Sequence, residues 1–222
     1  MIKAILFDLD NTLLDFNKGE YDALKVIYND LNIPYNEDTI NLFIKHSGYC
    51  WRELEKNNMT LNECKRNRWI YFFNDLNIKN IDIDKITEKF SIELSKGHYL
   101  MDNALETLTR LSKKYKIYII TNGVSFIQHR RIKEAKIEEF INGMYISEEI
   151  GFYKPNKEYF DYVLNDIGLS NKEVIVVGDS LTSDILGANN SNIDSILLDN
   201  NDNFKDYKGK RVTNLLGIFN YL

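Results

Sequence analysis

The sequence predicts an α/β protein with a doubly wound parallel sheet and a second, smaller domain made only of helices. After residue 102, short apolar runs alternate with amphipathic helical patterns, as in β-α units joined by right-handed crossovers. A similar apolar run at residues 1–7 is separated from these units by residues 16–98, where every pattern is helical. We therefore predict a core domain over residues 1–14 and 99–222 and a helical domain over residues 15–98.

Composition and charge are those of an ordinary globular protein. The 222 residues are 44% hydrophobic and 27% charged, and a net charge of −5 with interspersed signs argues against a nucleic acid polymer or an anionic membrane as partner. No apolar run approaches transmembrane length, and a strand-like run begins at residue 2, so we expect no signal peptide and a cytoplasmic location. A monomer and a homodimer both remain open.

The first predicted strand ends at two aspartates. The apolar run 1–7 is typical of a buried strand, and Asp8 and Asp10 follow it. Positions two apart share a face of a strand, so both carboxylates should point into one small volume. At about 4 Å and an effective dielectric of about 20, their repulsion is roughly 4 kcal/mol. A shared proton or a cation must compensate for it.

The helical domain is predicted from four apolar stripes at helical spacing. Thr60 and Glu63 have the spacing of a capping box, which marks the start of the third helix. The stripes are Leu24, Ile27, Tyr28 and Leu31; Ile40, Phe43, Ile44 and Trp51; Trp69, Phe72, Phe73 and Leu76; and Ile83, Ile86, Phe90 and Leu94.

The remaining elements follow from the same patterns. Strands are predicted at 116–120, 144–146, 173–178 and 195–198, with a last edge strand at 211–213. Helices are predicted from Ala104 to Lys114, after Gly123 to about Ile137, from Pro155 to a stop at Gly168, from near Thr182, and at the C-terminus.

Reactive side chains collect where the predicted strands end. Thr121 and Asp179 each end a strand, as Asp8 and Asp10 do, while Lys154 lies in a loop and Asp184 follows Asp179. In open parallel sheets, ligands bind at this carboxyl edge.

This set of residues suits phosphoryl transfer. Hard oxygen donors with open positions favour Mg²⁺, and Lys154 adds a fixed positive charge. Thr121 and the backbone N–H groups of Asn122 and Gly123 are suited to holding phosphoryl oxygens. One aspartate can attack phosphorus, and the other can protonate the leaving oxygen and then activate water.

Each feature alone has a simpler explanation. The acids could be a solvated strand end, Thr121-Asn122-Gly123 a turn, and Lys154 an exposed loop residue. Asp184 could simply stabilise a helix N-terminus. Only their combination points to a catalytic site.

The four groups resemble, in chain order, the four motifs of the haloacid dehalogenase superfamily. The helical segment between the first two motifs resembles that superfamily's α-helical cap, so the likeness covers essentially the whole chain. The motifs are Asp8-Leu9-Asp10-Asn11-Thr12-Leu13, Thr121, Lys154-Pro155 and Gly178-Asp179-Ser180-Leu181-Thr182-Ser183-Asp184.

The resemblance implies a role for each site residue. Asp8 would be the nucleophile and Asp10 the general acid and base, and dehalogenases lack the second aspartate, so Asp10 points to phosphate chemistry. Mg²⁺ would be bound by Asp8, the backbone carbonyl of Asp10 and Asp179, with Asp184 supporting the metal through water or indirect contacts. Thr121, Asn122 and Lys154 would bind the phosphoryl group, and Lys154 would also orient Asp8.

A finer similarity is to the bacterial pyrimidine 5′-nucleotidase group. It implies a small phosphorylated metabolite as substrate, in the first place a nucleoside 5′-monophosphate. The residues that carry it are Ile120-Thr121-Asn122-Gly123, Gln128, Arg131, Phe140, Ile146-Ser147-Glu148-Glu149, Gly151, Lys154-Pro155-Asn156 and Phe160-Asp161-Tyr162. Independently of this similarity, we expect the helical cap to open and close over the site, on hinges near residues 13–15 and 98–99.

Other activities remain open. A sugar phosphate phosphatase of the sialic-acid-9-phosphate or phosphoglycolate type, or a phosphomutase, would share this fold. A non-enzymatic phospho-acceptor module of the receiver type also gathers acids, Thr and Lys at strand ends. That module is much shorter and has no place for the helical insert, so it is disfavoured.

Overall fold

The structure, a computed structural model, describes all residues 1–222. The chain forms two compact units. One unit, called here the core unit, comprises Met1–Phe16 and His98–Leu222. The other, the helical unit, comprises Asn17–Gly97.

Four helices build the helical unit. They are α1 (Phe16–Asp30, whose first residue belongs to the core unit), α2 (Glu37–Glu55), α3 (Leu61–Asp75) and α4 (Ile83–Leu94). None of the chain's helices combines the length and the apolar character needed to span a membrane.

Local sequence signals explain where two of these helices begin. The predicted capping box at the start of α3 is confirmed, because Thr60 accepts from the Glu63 N–H while Glu63 accepts from the Thr60 N–H. Asn36 and Thr39 form a second box at the start of α2. Reciprocal capping satisfies N–H groups that a helix leaves unpaired at its first turn.

Aromatic rings fill the interior of the helical unit. The ring centroids of Phe43 and Trp69 are 4.4 Å apart, and Tyr28 stacks on Phe72 at 5.4 Å with an interplanar angle of 9°. The predicted stripe on α2 is only partly right, because Ile40, Ile44 and Trp51 are half-buried. The face that α2 buries instead mixes apolar and small polar side chains, namely Thr39, Phe43, Ser47, Cys50 and Leu54.

The core unit contains a six-stranded sheet in which every neighbouring pair of strands is parallel. Its spatial order is β3-β2-β1-β4-β5-β6, which confirms the predicted doubly wound sheet. The chain runs outward from β1 in both directions, so β1 and β4 flank the switch point at which such folds bind ligands. The strands are β1 (Ala4–Phe7), β2 (Lys116–Thr121), β3 (Gly143–Ile146), β4 (Val174–Gly178), β5 (Asp194–Leu198) and β6 (Lys210–Val212).

Side chains from successive strand positions enter two different hydrophobic clusters. Ile5 and Phe7 of β1 belong to one cluster, whereas Ala4 and Leu6 belong to the other. Both faces of the sheet are therefore covered, which explains why the strands are apolar runs rather than alternating patterns. The covering helices are α5 (Ala104–Leu111), α6 (Ser125–Glu134), α7 (Ser147–Ile150), α8 (Lys157–Ile167) and α9 (Leu186–Asn190).

Shorter helical turns complete the core unit. Glu138–Phe140 and Leu215–Asn220 are 3₁₀ turns, so the predicted C-terminal helix has the tighter form. The helix predicted near Thr182 begins as a π-helical turn, Leu181–Ile185, and continues as α9. Helices α5 and α6 end about one turn before their predicted ends.

The predicted helix start at Pro155 is wrong. Helix α8 begins at Lys157, with Asn156 at its N-cap, and the Asn156 N–H closes a turn onto the Tyr153 carbonyl. The Asn122 amide explains the difference, because it accepts from the N–H of Lys154 and donates to its carbonyl, each at 2.9 Å. Those backbone groups are thus used outside the helix.

The backbones at Gly19 and Gly97 approach each other closely within the helical unit. A methyl group on Gly97 would lie 2.6 Å from Cα of Gly19, and neither backbone can swing aside as a side chain would. We predict that Gly97→Ala lowers the free energy of unfolding by about 1–3 kcal/mol, the usual cost of overpacking. Urea denaturation measures the change.

Gly48→Ala is the matched control for that substitution. Gly48 lies inside α2, and its added methyl would meet only the mobile end of Arg52, at 3.2 Å. Alanine should therefore stabilise the helix by up to about 1 kcal/mol. Destabilisation of both variants to the same extent would contradict the close approach at Gly97.

Candidate active site

Three carboxylates converge at the carboxyl edge of the sheet. Asp8 follows β1, Asp179 follows β4, and Asp184 lies in the π-helical turn. One carboxylate oxygen from each lies within 4.8 Å of the other two. The Asp8 N–H donates to the Val177 carbonyl at 2.8 Å, which extends the pairing of β1 with β4 up to the site. Sheet register therefore brings together acids that are distant in sequence.

Lys154 is the cation of this cluster. Its side chain is 2% exposed, and its ammonium donates to Asp8 Oδ1 at 2.7 Å and to Asp184 Oδ1 at 2.6 Å. The third donation goes to the Ile120 carbonyl at 3.0 Å. An ammonium has three protons, so all are used within the protein. In this arrangement Lys154 orients Asp8, and a direct hydrogen bond to a phosphoryl oxygen requires one of these contacts to be exchanged.

The charges of the cluster are not balanced by Lys154 alone. Burial raises the pKa of Asp8 to about 7, against the opposing effect of Lys154, and the charges of Asp184 and Asp10 raise it further. Burial also raises the pKa of Asp179 to about 8, with Asp8 and Asp184 adding to the effect. Burial by itself lowers the pKa of Lys154, but Asp184 and Asp8 outweigh it and hold this pKa above its usual range.

A divalent cation fits this donor set. Three carboxylates face one ammonium, and burial, together with the repulsion between the acids, raises the pKa values of Asp8 and Asp179. Clustered carboxylate oxygens are the ligands that Mg²⁺ prefers in proteins.

Asp184 is held inside the protein by close backbone contacts. It is fully buried, and its Oδ2 accepts from the Ser180 N–H at 3.1 Å. A Cβ on Gly178 would lie 2.2 Å from Asp184 Oδ2, so only glycine permits this approach. The structure thus places Asp184 beside Lys154 and the other acids rather than at a solvated helix end.

The Asp10 carboxylate has partners different from those of Asp8. Gln128 Nε2 donates to Asp10 Oδ2 at 2.7 Å, and Arg131 Nη1 forms an ion pair with Asp10 Oδ1. The expectation that Asp8 and Asp10 share one volume assumed a strand through both residues. Because β1 ends at Phe7, the alternation of a strand does not extend to Asp10, and the two carboxylates have different hydrogen-bond partners.

Thr121 lies at the end of β2, and its hydroxyl accepts two hydrogen bonds. Its Oγ1 accepts from the Gly123 N–H at 3.1 Å and from Gln128 Nε2 at 2.9 Å. A hydroxyl has two acceptor positions and one proton, so this environment leaves the proton to be donated. The Gly123 N–H was predicted to bind a phosphoryl oxygen, but it donates to Thr121 Oγ1 instead.

The Asn122 side chain fixes the loop that carries Lys154. Besides its two contacts with the Lys154 backbone, its Oδ1 accepts from the Ser147 hydroxyl at 2.6 Å. Ser147 Oγ also lies 3.1 Å from the Thr121 carbonyl oxygen. The side chain of Asn122 thus supports the site, while its predicted phosphate contact through the backbone stays a prediction.

Sequence reasoning did not assign site roles to Gln128, Arg131 or Ser147. Gln128 is 1% exposed and Arg131 0%, although both are polar. Their spacing of three residues on α6, directly after Thr121, places them on one helix face. That spacing could have indicated a shared polar face on α6. The contact of this face with Asp10 was not visible in the sequence.

The fold and the polar side chains at the carboxyl edge of its sheet together indicate a family of hydrolases. The first aspartates follow the central strand, a hydroxyl follows its neighbour β2, a lysine comes from a loop, and further acids follow β4. The family model of haloacid dehalogenase-like hydrolases matches residues 5–198. The chain belongs to this family and is a hydrolase, which confirms the resemblance found in the sequence.

Known relatives cover most of the chain. YfnB of Bacillus subtilis (strain 168), assigned to the HAD hydrolases, is 34% identical over 194 residues, covering 87% of this chain and 82% of YfnB. A crystal structure of YfnB bound to magnesium superposes with a TM-score of 0.93 at 30% identity, covering 99% of this chain and 97% of that one.

Two further relatives are pyrimidine 5′-nucleotidases. PynA of Streptococcus pneumoniae (strain ATCC BAA-255 / R6) is 28% identical over 196 residues, covering 87% of this chain and 82% of PynA. YjjG of Escherichia coli (strain K12) is 28% identical over 190 residues, covering 85% of this chain and 82% of YjjG.

The raised carboxyl pKa values predict a pH-dependent response to magnesium. Without metal, Asp8 and Asp179 favour the folded state most at low pH, and this contribution is lost as the pH rises through about 7 to 8. Mg²⁺ needs the ionised carboxylates. We therefore predict that Mg²⁺ raises the melting temperature more at about pH 8.5 than at about pH 6.

Thermal unfolding followed by circular dichroism, with and without Mg²⁺, measures this difference. Asp179→Asn is the matched variant, and it should reduce the gain at the higher pH. An equal gain at both pH values in the unsubstituted protein would show that the cation binds elsewhere.

Proposed function

We propose that this enzyme is a Mg²⁺-dependent phosphomonoester hydrolase that works through an aspartyl-phosphate on Asp8. The proposal rests on the different surroundings of the two aspartates, Asp8 and Asp10. Asp8 lies against Lys154 in the acid cluster, whereas Asp10 is held apart by Gln128 and Arg131. One carboxylate is thus placed to attack phosphorus, and the other to move protons.

Carboxylates of Asp8 and Asp179, together with the backbone carbonyl of Asp10, would hold the Mg²⁺ ion. Asp184 would support it through water or indirect contacts, since its oxygen lies within the same acid cluster. When bound, the ion supplies positive charge that offsets the repulsion between an anionic nucleophile and an anionic phosphoryl group.

Lys154 prepares Asp8 for attack. Its contacts to Asp8 and Asp184 fix the orientation of the nucleophilic carboxylate and keep a positive charge beside the incoming phosphoryl group. The Thr121 hydroxyl proton is suited to a phosphoryl oxygen, because both acceptor positions of that hydroxyl are filled. The backbone N–H of Asn122 is a further proposed donor.

The reaction then proceeds in two proton-balanced steps. An Asp8 oxygen bonds to phosphorus as the bond from phosphorus to the leaving oxygen breaks, and Asp10 gives its proton to that oxygen. The Asp10 carboxylate next takes a proton from water, whose oxygen attacks phosphorus and releases inorganic phosphate from Asp8. Asp10 is protonated again at the end, so it serves as acid and then as base.

The proposed substrate is a small phosphorylated metabolite, in the first place a nucleoside 5′-monophosphate. The similarity to PynA and YjjG supports this class. Residues 15–98 are proposed to act as a cap domain that selects the substrate, with hinges near 13–15 and 98–99. Sugar phosphates are the alternative class that a substrate panel distinguishes.

We predict Mg²⁺-dependent hydrolysis of p-nitrophenyl phosphate, which EDTA abolishes. In a panel of phosphate esters, the values of kcat/KM for UMP, dUMP and TMP should exceed those for purine monophosphates and sugar phosphates. Asp8→Asn should remain folded and lose activity by at least about 10³-fold, because it removes the nucleophile. Release of inorganic phosphate is the measurement.

Asp206→Asn serves as the matched control, since Asp206 is exposed and remote in sequence from every motif. It should keep the activity of the unsubstituted enzyme. Full activity in EDTA or in Asp8→Asn would refute the mechanism. Preference for sugar phosphates would retain the mechanism and change the substrate class, and a requirement for a bisphosphate activator would indicate a phosphomutase.

A further inference from the structure

A buried polar network links Asp10 to Thr121 through helix α6. Gln128 and Arg131, one turn apart on α6, are both almost fully buried. Arg131 Nη1 donates to Gln128 Oε1 at 2.9 Å, so the two side chains also contact each other. Hydrogen bonds between buried side chains hold the orientations of those side chains relative to each other.

Both oxygens of Asp10 are held by this network. Arg131 pairs with Oδ1, and Gln128 Nε2 donates to Oδ2 at 2.7 Å. Two donors at separate oxygens fix the rotation of the carboxylate as well as its position. The orientation of Asp10 is therefore set by α6 rather than by the strand that precedes it.

Gln128 also connects Asp10 with the hydroxyl of Thr121. Its single Nε2 lies 2.7 Å from Asp10 Oδ2 and 2.9 Å from Thr121 Oγ1. By occupying an acceptor position of Thr121, it directs the hydroxyl proton away from α6. One amide thus orients a proton-transfer group and a phosphoryl-binding group together.

The local sequence makes room for the network and anchors it. A Cβ on Gly123 would lie 2.1 Å from Gln128 Nε2, so glycine at this position allows Gln128 to fold back over β2. The guanidinium carbon of Arg131 lies 5.7 Å from the centre of the Phe16 ring, within the range of a cation–π contact. Arg131 is thus held between Phe16 and Asp10.

We propose that Gln128 and Arg131 are positioning residues that aim the Asp10 carboxyl at the leaving oxygen of the substrate. The inference rests on the proposed function, in which Asp10 gives its proton to that oxygen as the bond to phosphorus breaks. Leaving groups differ in their need for this proton. An alkoxide requires it, whereas p-nitrophenolate departs readily without it, so a misdirected Asp10 should slow alkyl phosphates selectively.

The test compares kcat/KM for two substrates in Arg131→Met and Gln128→Met. The value of kcat/KM covers the steps up to departure of the leaving group, so it isolates the acid role of Asp10. For the alkyl phosphate that the unsubstituted enzyme hydrolyses best, we expect a fall of about 100-fold, the scale of general acid catalysis. For p-nitrophenyl phosphate we expect a fall below about 5-fold in Arg131→Met, since no proton is needed. In Gln128→Met, which also loses the contact with Thr121, the fall for p-nitrophenyl phosphate should be smaller than the fall for the alkyl phosphate.

Arg131→Lys and Lys133→Met complete the design. Arg131→Lys keeps the positive charge and should recover part of the activity on the alkyl phosphate. Lys133→Met removes an exposed cation from the same helix and should leave kcat/KM unchanged for both substrates. Circular dichroism checks folding, and if Arg131→Met does not fold, Gln128→Met decides.

The same assays distinguish a wrong positioning role for Gln128 and Arg131 from a wrong phosphatase function. If the unsubstituted enzyme hydrolyses both esters and the variants lose both equally, or lose neither, the positioning role is overturned while the proposed function stands. If the unsubstituted enzyme hydrolyses neither ester, the proposed function fails, and the positioning role fails with it.

Discussion

The contact of Lys154 with two aspartates is the interaction on which the rest of the site depends. Its ammonium joins the acid after β1, the acid in the π-helical turn after β4, and the carbonyl of Ile120 in β2. Three segments of the core unit therefore meet at one nitrogen. Loss of one partner from a buried ion pair typically costs about 3–5 kcal/mol, because the other charge remains buried. The Asn122 amide maintains this arrangement by fixing the Lys154 backbone.

Charge balance distinguishes this cluster from a purely structural group of ion pairs. A purely structural core would not gather three carboxylates, two of them buried, around one ammonium, because each buried charge costs desolvation energy. The raised pKa values of Asp8 and Asp179 express that cost. A bound divalent cation would supply the positive charge that makes the arrangement favourable. Asp10 adds negative charge to this cluster, but its own carboxylate is paired with Arg131, so its surroundings differ from those of Asp8.

The sequence predicted the sheet and the meeting of the acids, because both depend on local patterns and on one topological rule. Asp8, Thr121 and Asp179 each follow an apolar strand, and parallel strands end at the same edge. The contacts of Gln128 with Asp10 were not predictable, since they join residues 118 positions apart through loop geometry. The prediction that a helix starts at Pro155 was wrong for a similar reason. The Asn122 amide, which lies in another loop, binds the backbone of Lys154, and this contact was not visible in the sequence.

Chemical trapping of the phosphorylated enzyme tests whether Asp8 is the nucleophile. The enzyme is mixed with Mg²⁺ and an excess of substrate, quenched in acid during turnover, digested and analysed by mass spectrometry. We predict one phosphoryl group on the peptide that contains Asp8. Treatment with hydroxylamine should remove this group, and the same peptide of Asp8→Asn should not carry it. A phosphoryl group on another residue, or turnover of substrate without any labelled peptide, would contradict this prediction.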